Sequence, residues 1–229
     1  VGAMEGDNPY LWFSKDARKG MASELAEAFS KERPAKKKAF DARLKRWNTQ
    51  ETGLERAVNA FGARHKSSTY AATDAVAYYL MADLGFKNLT PRGYAQSTAS
   101  SMEPGAGDLR DFQHLIEQRK VSMLIDNDQM PSTAATTLVQ AAKASKVPVL
   151  NVSEQMPQKD DDLTAWITDL LNQMSVDMAS DAAAAHDQES SAPSSSAGGQ
   201  GSDPASGPAP ATSAPGGSSP PTGPTSSGQ

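Results

Sequence analysis

The sequence predicts an α/β fold: a long helix leads into a helix-covered, mainly parallel four-stranded sheet, and a disordered tail follows. Three observations predict it. Apolar residues recur at helical spacing over some thirty positions from Ala35 to Arg64. Short apolar runs then alternate with amphipathic segments from Ser68 to Met174, the pattern of parallel strands covered by helices. From Asp187 to Gln229 the chain has no aromatic residue and no Val, Ile, Leu or Met. Such a segment buries too little apolar surface to offset the entropy of ordering it.

The elements follow in order. Ser14 is placed to cap a first helix whose apolar face carries Met21, Leu25, Ala28 and Phe29. Pro34 breaks that helix or opens the next. The long helix puts Phe40, Leu44, Trp47, Leu54, Val58 and Phe61 on one stripe. At ~1.5 Å per residue it reaches roughly 45 Å. Gly53 inside it costs only ~1 kcal/mol relative to Ala. Ser68 to Thr73 reads as a strand, Asp74 to Leu84 as a helix stopped by Gly85, and Tyr94 to Ser100 as a second strand. Gly107 to Arg119 is helical, Val121 to Ile125 a strand, Ser132 to Ser145 a helix, and Val147 to Val152 a buried strand. Asp160, Asp161 and Asp162 suit the positive end of a last helix with Leu163, Trp166, Ile167, Leu170, Leu171 and Met174 on its stripe. These elements divide the chain into residues 1–34 (a lead-in with one helix), 35–66 (the long helix), 67–178 (an α/β unit) and 187–229 (the tail).

Open parallel sheets bind ligands beyond the carboxyl ends of their strands. Those ends lie near Thr73 and Asp74, Ser100 to Glu103, Asp126 to Gln129, and Ser153 with Glu154, a set rich in carboxylates and amides. Net charge is −5, and the one basic cluster (Lys36 to Lys38, Arg43, Lys45, Arg46) alternates with apolar residues as a solvated helix face does. Nucleic acid is therefore not an expected partner. The absence of cysteine excludes disulfides, zinc fingers and thiol catalysis. Neither a phosphate-binding glycine loop nor a nucleophile elbow is present, so no enzyme activity is expected.

Five ordered segments carry a resemblance. They are Asn8 to Asp16; Ala71-Ala72-Thr73-Asp74-Ala75-Val76-Ala77-Tyr78; Leu84-Gly85-Phe86; Glu103-Pro104-Gly105-Ala106-Gly107-Asp108-Leu109; and Leu124 to Gln129 followed by Val147-Pro148-Val149-Leu150. The set resembles the zinc and manganese solute-binding proteins of bacterial ABC transporters over roughly residues 5 to 176, as the C-terminal part of one with a degenerate ligand set. The resemblance implies a two-lobed receptor outside the cytoplasmic membrane. In it, a stiff helix joins the lobes and Zn2+ or Mn2+ is held in the cleft. It implies delivery of that divalent ion to a membrane ABC permease. It also implies a first lobe upstream and attachment to the cell surface by an N-terminal lipid anchor that this chain does not contain. The alternative is a surface adhesion or interaction module on the same fold that binds no metal.

The resemblance also supplies candidate metal ligands. Tyr10 stands where the family places a histidine, and a phenol with a pKa near ~10 is a poor ligand at neutral pH; packing at the start of a helix is its other reading. Asp74 matches the Glu of an Ala-Thr-Glu variant of the second-lobe motif. It is equally well placed as an acidic residue at a helix start. Asn127 matches the family's last carboxylate position, with Asp126 beside it as a substitute; a polar loop after a strand is the other reading. Glu103 orients its loop. His65, His114 and His186 form no metal-spaced pair.

Overall fold

The computed structural model describes residues 7–190, with side chains to residue 179. The predicted tail falls almost wholly outside the described residues, and its first four positions, Asp187 to Ser190, continue the last helix.

A single 3-10 turn, Leu11–Phe13, leads into α1 (Lys15–Glu32). The Ser14 hydroxyl accepts from the Ala17 N–H and so caps α1 as expected. A second 3-10 turn, Pro34–Lys36, opens α2 (Lys37–Arg64), which is about 42 Å long by its residue count. The chain then runs through β1 (Thr69–Ala72), α3 (Tyr78–Asp83), β2 (Lys87–Asn88), α4 (Arg92–Ala99), α5 (Ala106–Glu117), β3 (Met123–Asn127), α6 (Thr133–Ala144), β4 (Val149–Val152) and α7 (Leu163–Ser190). Ser132 caps α6 by accepting from the Ala135 N–H, and Asp162 does the same at α7 by accepting from the Ala165 N–H.

The four strands are parallel and lie in the order β2-β1-β3-β4. The predicted fold class therefore holds, with one element exchanged. Tyr94 to Ser100 forms a helix rather than a strand, and the second strand is the exposed pair Lys87–Asn88. Tyr94 is buried and meets Phe112 edge to face at 4.8 Å, which is how α4 joins the core. A two-residue polar edge strand leaves no hydropathic trace. The helix predicted from Asp74 also starts later, at Tyr78, so Asp74 lies in the preceding turn.

Alternate side chains of each strand feed two cores. Tyr70, Ala72, Met123, Ile125, Leu150 and Val152 pack on one face with Leu54, Val58 and Phe61 of α2 and with Trp166, Ile167 and Met174 of α7. Ala71 and Leu124 pack on the other with Tyr94, Phe112, Ile116 and Leu138. Two close approaches demand glycine. A Cβ on Gly62 would overlap the Leu84 carbonyl oxygen, where α2 meets the end of α3. A Cβ on Gly93 would overlap the Asp108 carboxylate, which lies over the start of α4. Among the described residues no helix is long and apolar enough to cross a membrane.

Candidate functional site

The chain leaves β1 for β2 on one side and returns to β3 on the other, so the carboxyl ends of β1 and β3 flank a switch of direction. Parallel sheets bind ligands in the crevice at such a point. Thr73 and Asp74 follow β1, Asp126 and Asn127 end β3, and Glu154 follows β4. Tyr10 arrives from the chain before α1. Its hydroxyl donates to Glu154 Oε1 at 3.0 Å.

Asn127 lies at the centre of this group and is 1% exposed. Its Nδ2 donates to Asp74 Oδ1 at 3.3 Å and to Glu154 Oε1 at 3.1 Å. Its Oδ1 accepts from the Gln129 N–H at 3.1 Å, which fixes the amide with its NH2 towards the carboxylates. Gln129 in turn uses its own Oε1 to accept from the N–H groups of Glu154 and Gln155 at 2.9 and 3.1 Å. The Asn127 amide and the Tyr10 hydroxyl thus offset the repulsion of two carboxylates with donated hydrogens. Burial raises the Tyr10 pKa well above its usual value, and the Asp74 charge and the Glu154 hydrogen bond add to that. The phenol stays protonated and acts as a donor to Glu154.

The sequence-predicted residues divide accordingly. Tyr10, Asp74 and Asn127 come together. Asp126 does not join them: successive strand residues face opposite sides. Asp126 follows Leu124 towards the second core, where its Oδ1 accepts from the Thr73 hydroxyl at 2.7 Å. Burial raises its pKa, partly offset by that hydrogen bond. Glu154 reads from the sequence only as a strand end, and the structure makes it the second carboxylate of the cluster. The signal that finds it is its position directly after β4, since β4 pairs with β3 in a register that sets Val152 beside Asn127. His65 and His114 lie elsewhere. His65 stacks on Phe61 with centroids 4.4 Å apart, and His114 is exposed beside Glu117. Among the described residues no group of three or more His, Asp or Glu side chains is arranged to hold a metal ion.

The model of one family, the periplasmic component A of zinc-uptake complexes, matches residues 2–176. The chain belongs to that family. Component A proteins are parts of transport systems, not enzymes. A curated relative, the zinc-binding lipoprotein AdcA of Streptococcus pneumoniae, is 22% identical over 153 residues, which cover 67% of this chain and 30% of AdcA. The chain thus spans less than a third of that relative's length. The solved structure of TroA, a periplasmic zinc binding protein from Treponema pallidum, superposes with a TM-score of 0.57 at 19% identity, covering 78% of this chain and 66% of that one. A mutant of the laminin-binding adhesin Lmb from Streptococcus agalactiae gives 0.57 at 18%, covering 74% and 61%. At these identities the structures share the fold.

Proposed function

We propose that this component A chain is the C-terminal, cleft-forming part of an extracytoplasmic receptor that captures Zn2+ or Mn2+ and hands it to an ABC permease. One observation carries the proposal. In a chain of the zinc-uptake family, Asp74 and Glu154 converge from separate strand ends on one buried amide, at the switch point of a parallel sheet. A cation entering there takes over the work of the Asn127 NH2, which offsets the repulsion between the two carboxylates. In this reading Asp74 and Glu154 are the ligands this chain supplies, and Tyr10 steadies Glu154 through its hydrogen bond. Asn127 presents a nitrogen with no lone pair to give and is displaced rather than coordinated. The set supplied is all oxygen, which suits Mn2+ better than Zn2+. Remaining ligands would come from another part of the receptor, and a lipid anchor like that of AdcA would hold it at the membrane surface. The adhesion alternative gains no support from the adhesin structures, which share only the fold.

The test is a melting curve of chelator-stripped protein with and without Mn2+ or Zn2+. Ligand at ~100 times its dissociation constant adds about 2.7 kcal/mol, or roughly 5–10 °C for a chain of this size. A shift that disappears in Asp74→Ala and Glu154→Ala is the expected result. No shift with either ion sinks capture by this chain alone.

A further inference from the structure

We propose that the buried Arg18–Glu51 ion pair positions Tyr10 at the carboxylate cluster, so that the long helix α2 holds one side of the site. Arg18 is 8% exposed and Glu51 1%. The guanidinium gives its Nε and Nη2 to Glu51 and its Nη1 to the Trp12 carbonyl oxygen at 3.0 Å. Trp12 is the middle residue of the 3-10 turn Leu11–Phe13; Phe13 seats that turn in the core against Trp166, and the guanidinium adds a hydrogen bond to its backbone. Tyr10 is the residue immediately before that turn.

A buried ion pair is seldom a net gain in stability over an apolar pair, because both charges lose their water. Arg18–Glu51 therefore calls for a use beyond holding α1 on α2. The fork of the guanidinium supplies one. Glu51 fixes the plane of Arg18, and Nη1 is thereby aimed at the backbone two residues after Tyr10. The other end of the segment is tied to the α/β unit. Asn8 Nδ2 donates to the Ala75 carbonyl at 2.8 Å, Asn8 Oδ1 accepts from the Tyr10 N–H at 2.9 Å, and the Tyr79 hydroxyl donates to the Asn8 carbonyl at 3.1 Å. Tyr10 is thereby suspended between two anchors, one beside Asp74 and one on α2. With Phe13 seated in the core, both anchors bear on where the Tyr10 hydroxyl meets Glu154. Arg18 and Glu51 touch neither carboxylate of the cluster and are positioning residues. Their effect on metal capture rests on the reading given above, whereas their effect on Tyr10 does not.

A double-mutant cycle tests the proposal on the full chain. Urea unfolding midpoints are measured without metal for wild type, Tyr10→Phe, Glu51→Gln and the double variant. Tyr10→Phe is expected to lower the midpoint in the wild-type background and to lower it by less than about half as much in Glu51→Gln, because Tyr10 is no longer held there. Arg18→Lys serves as a second background. It keeps the charge opposite Glu51 but loses the fork to Trp12, so it is expected to mute Tyr10→Phe in the same way. An equal effect of Tyr10→Phe in all backgrounds, or no effect in any, overturns the proposal. Calorimetric titration of the same proteins with Mn2+ separates the two readings. Wild type that binds, with Glu51→Gln weakening binding several-fold only when Tyr10 is present, supports both. Wild type that does not bind sinks capture and leaves the unfolding cycle to decide the positioning role.

Discussion

The two halves of α2 carry the same apolar spacing and meet opposite fates. From Lys37 to Gln50 no residue is buried, and Phe40, Leu44 and Trp47 are only half-covered. From Glu51 to Phe61 the stripe is sealed against the sheet and α7, with Leu54, Val58 and Phe61 at 3%, 7% and 2% exposure. The apolar face of α1 resembles the first half: Met21, Leu25 and Phe29 are 51%, 45% and 51% exposed. Periodicity reports that a helix has an apolar face, and what covers that face is a property of the rest of the molecule.

Substitutions along α2 sharpen the contrast. Phe61→Ala is expected to cost about 3–5 kcal/mol, as a large aromatic lost from a packed core does. Phe40→Ala, with its ring against Phe29 at 5.7 Å, is expected to cost under about 1 kcal/mol. Equal losses in chemical denaturation would break the comparison. The two interior glycines make the same point with the opposite sign. Gly62→Ala must push the Leu84 carbonyl aside and is expected to destabilise by about 1–3 kcal/mol. Gly53→Ala meets nothing within 4 Å and is expected to stabilise by up to about 1 kcal/mol. A pair of thermal melts decides it.

At the site, Asn127→Asp replaces the donor between two carboxylates by a third carboxylate. The metal-free protein is expected to lose about 1–3 kcal/mol, and Mn2+ affinity to rise, because the cation then takes the bridging role. Calorimetry on both proteins reads the change; an unaltered affinity would remove Asn127 from the site. The smallest effect belongs to His65. Burial against Phe61 and the charge of Arg64 lower its pKa below the usual 6.5. The unfolded chain then binds the proton more readily than the folded one. His65 therefore contributes stability that is present above pH 6.5 and lost as pH falls through the lowered value. Unfolding midpoints at pH 7.5 and 5.5 are expected to differ less in His65→Gln than in wild type.

Much of the α/β architecture is legible because parallel strands buried on both faces leave continuous apolar runs. Leu124-Ile125 and Val149-Leu150 are such runs, each followed within a few residues by polar side chains at the sheet's carboxyl edge. The exception is β2, whose exposed Lys87–Asn88 pair offers no apolar run, while Tyr94 has the aromatic character of a strand residue and packs from a helix. The site was legible to the extent that strand ends were. Topology places Asp74 and Asn127 among the strand-end residues, and the family resemblance singles them out. The separation of Asp126 from Asn127 follows only once the faces of β3 are assigned.

The sequence by itself determined most of the helices and the three apolar strands, though not β2 or α4, and which polar side chains follow those strands; the spacing of its histidines marks no metal pair. These are matters of local spacing and residue type. The tertiary structure alone decided that Glu154 completes the cluster 144 residues from Tyr10, that the Asn127 amide turns its NH2 to both carboxylates, and that Arg18 reaches Glu51 across 33 residues. Each depends on how distant elements are set against one another. Sequence spacing carries no record of the direction a side chain takes when strands from opposite ends of the chain are laid in register.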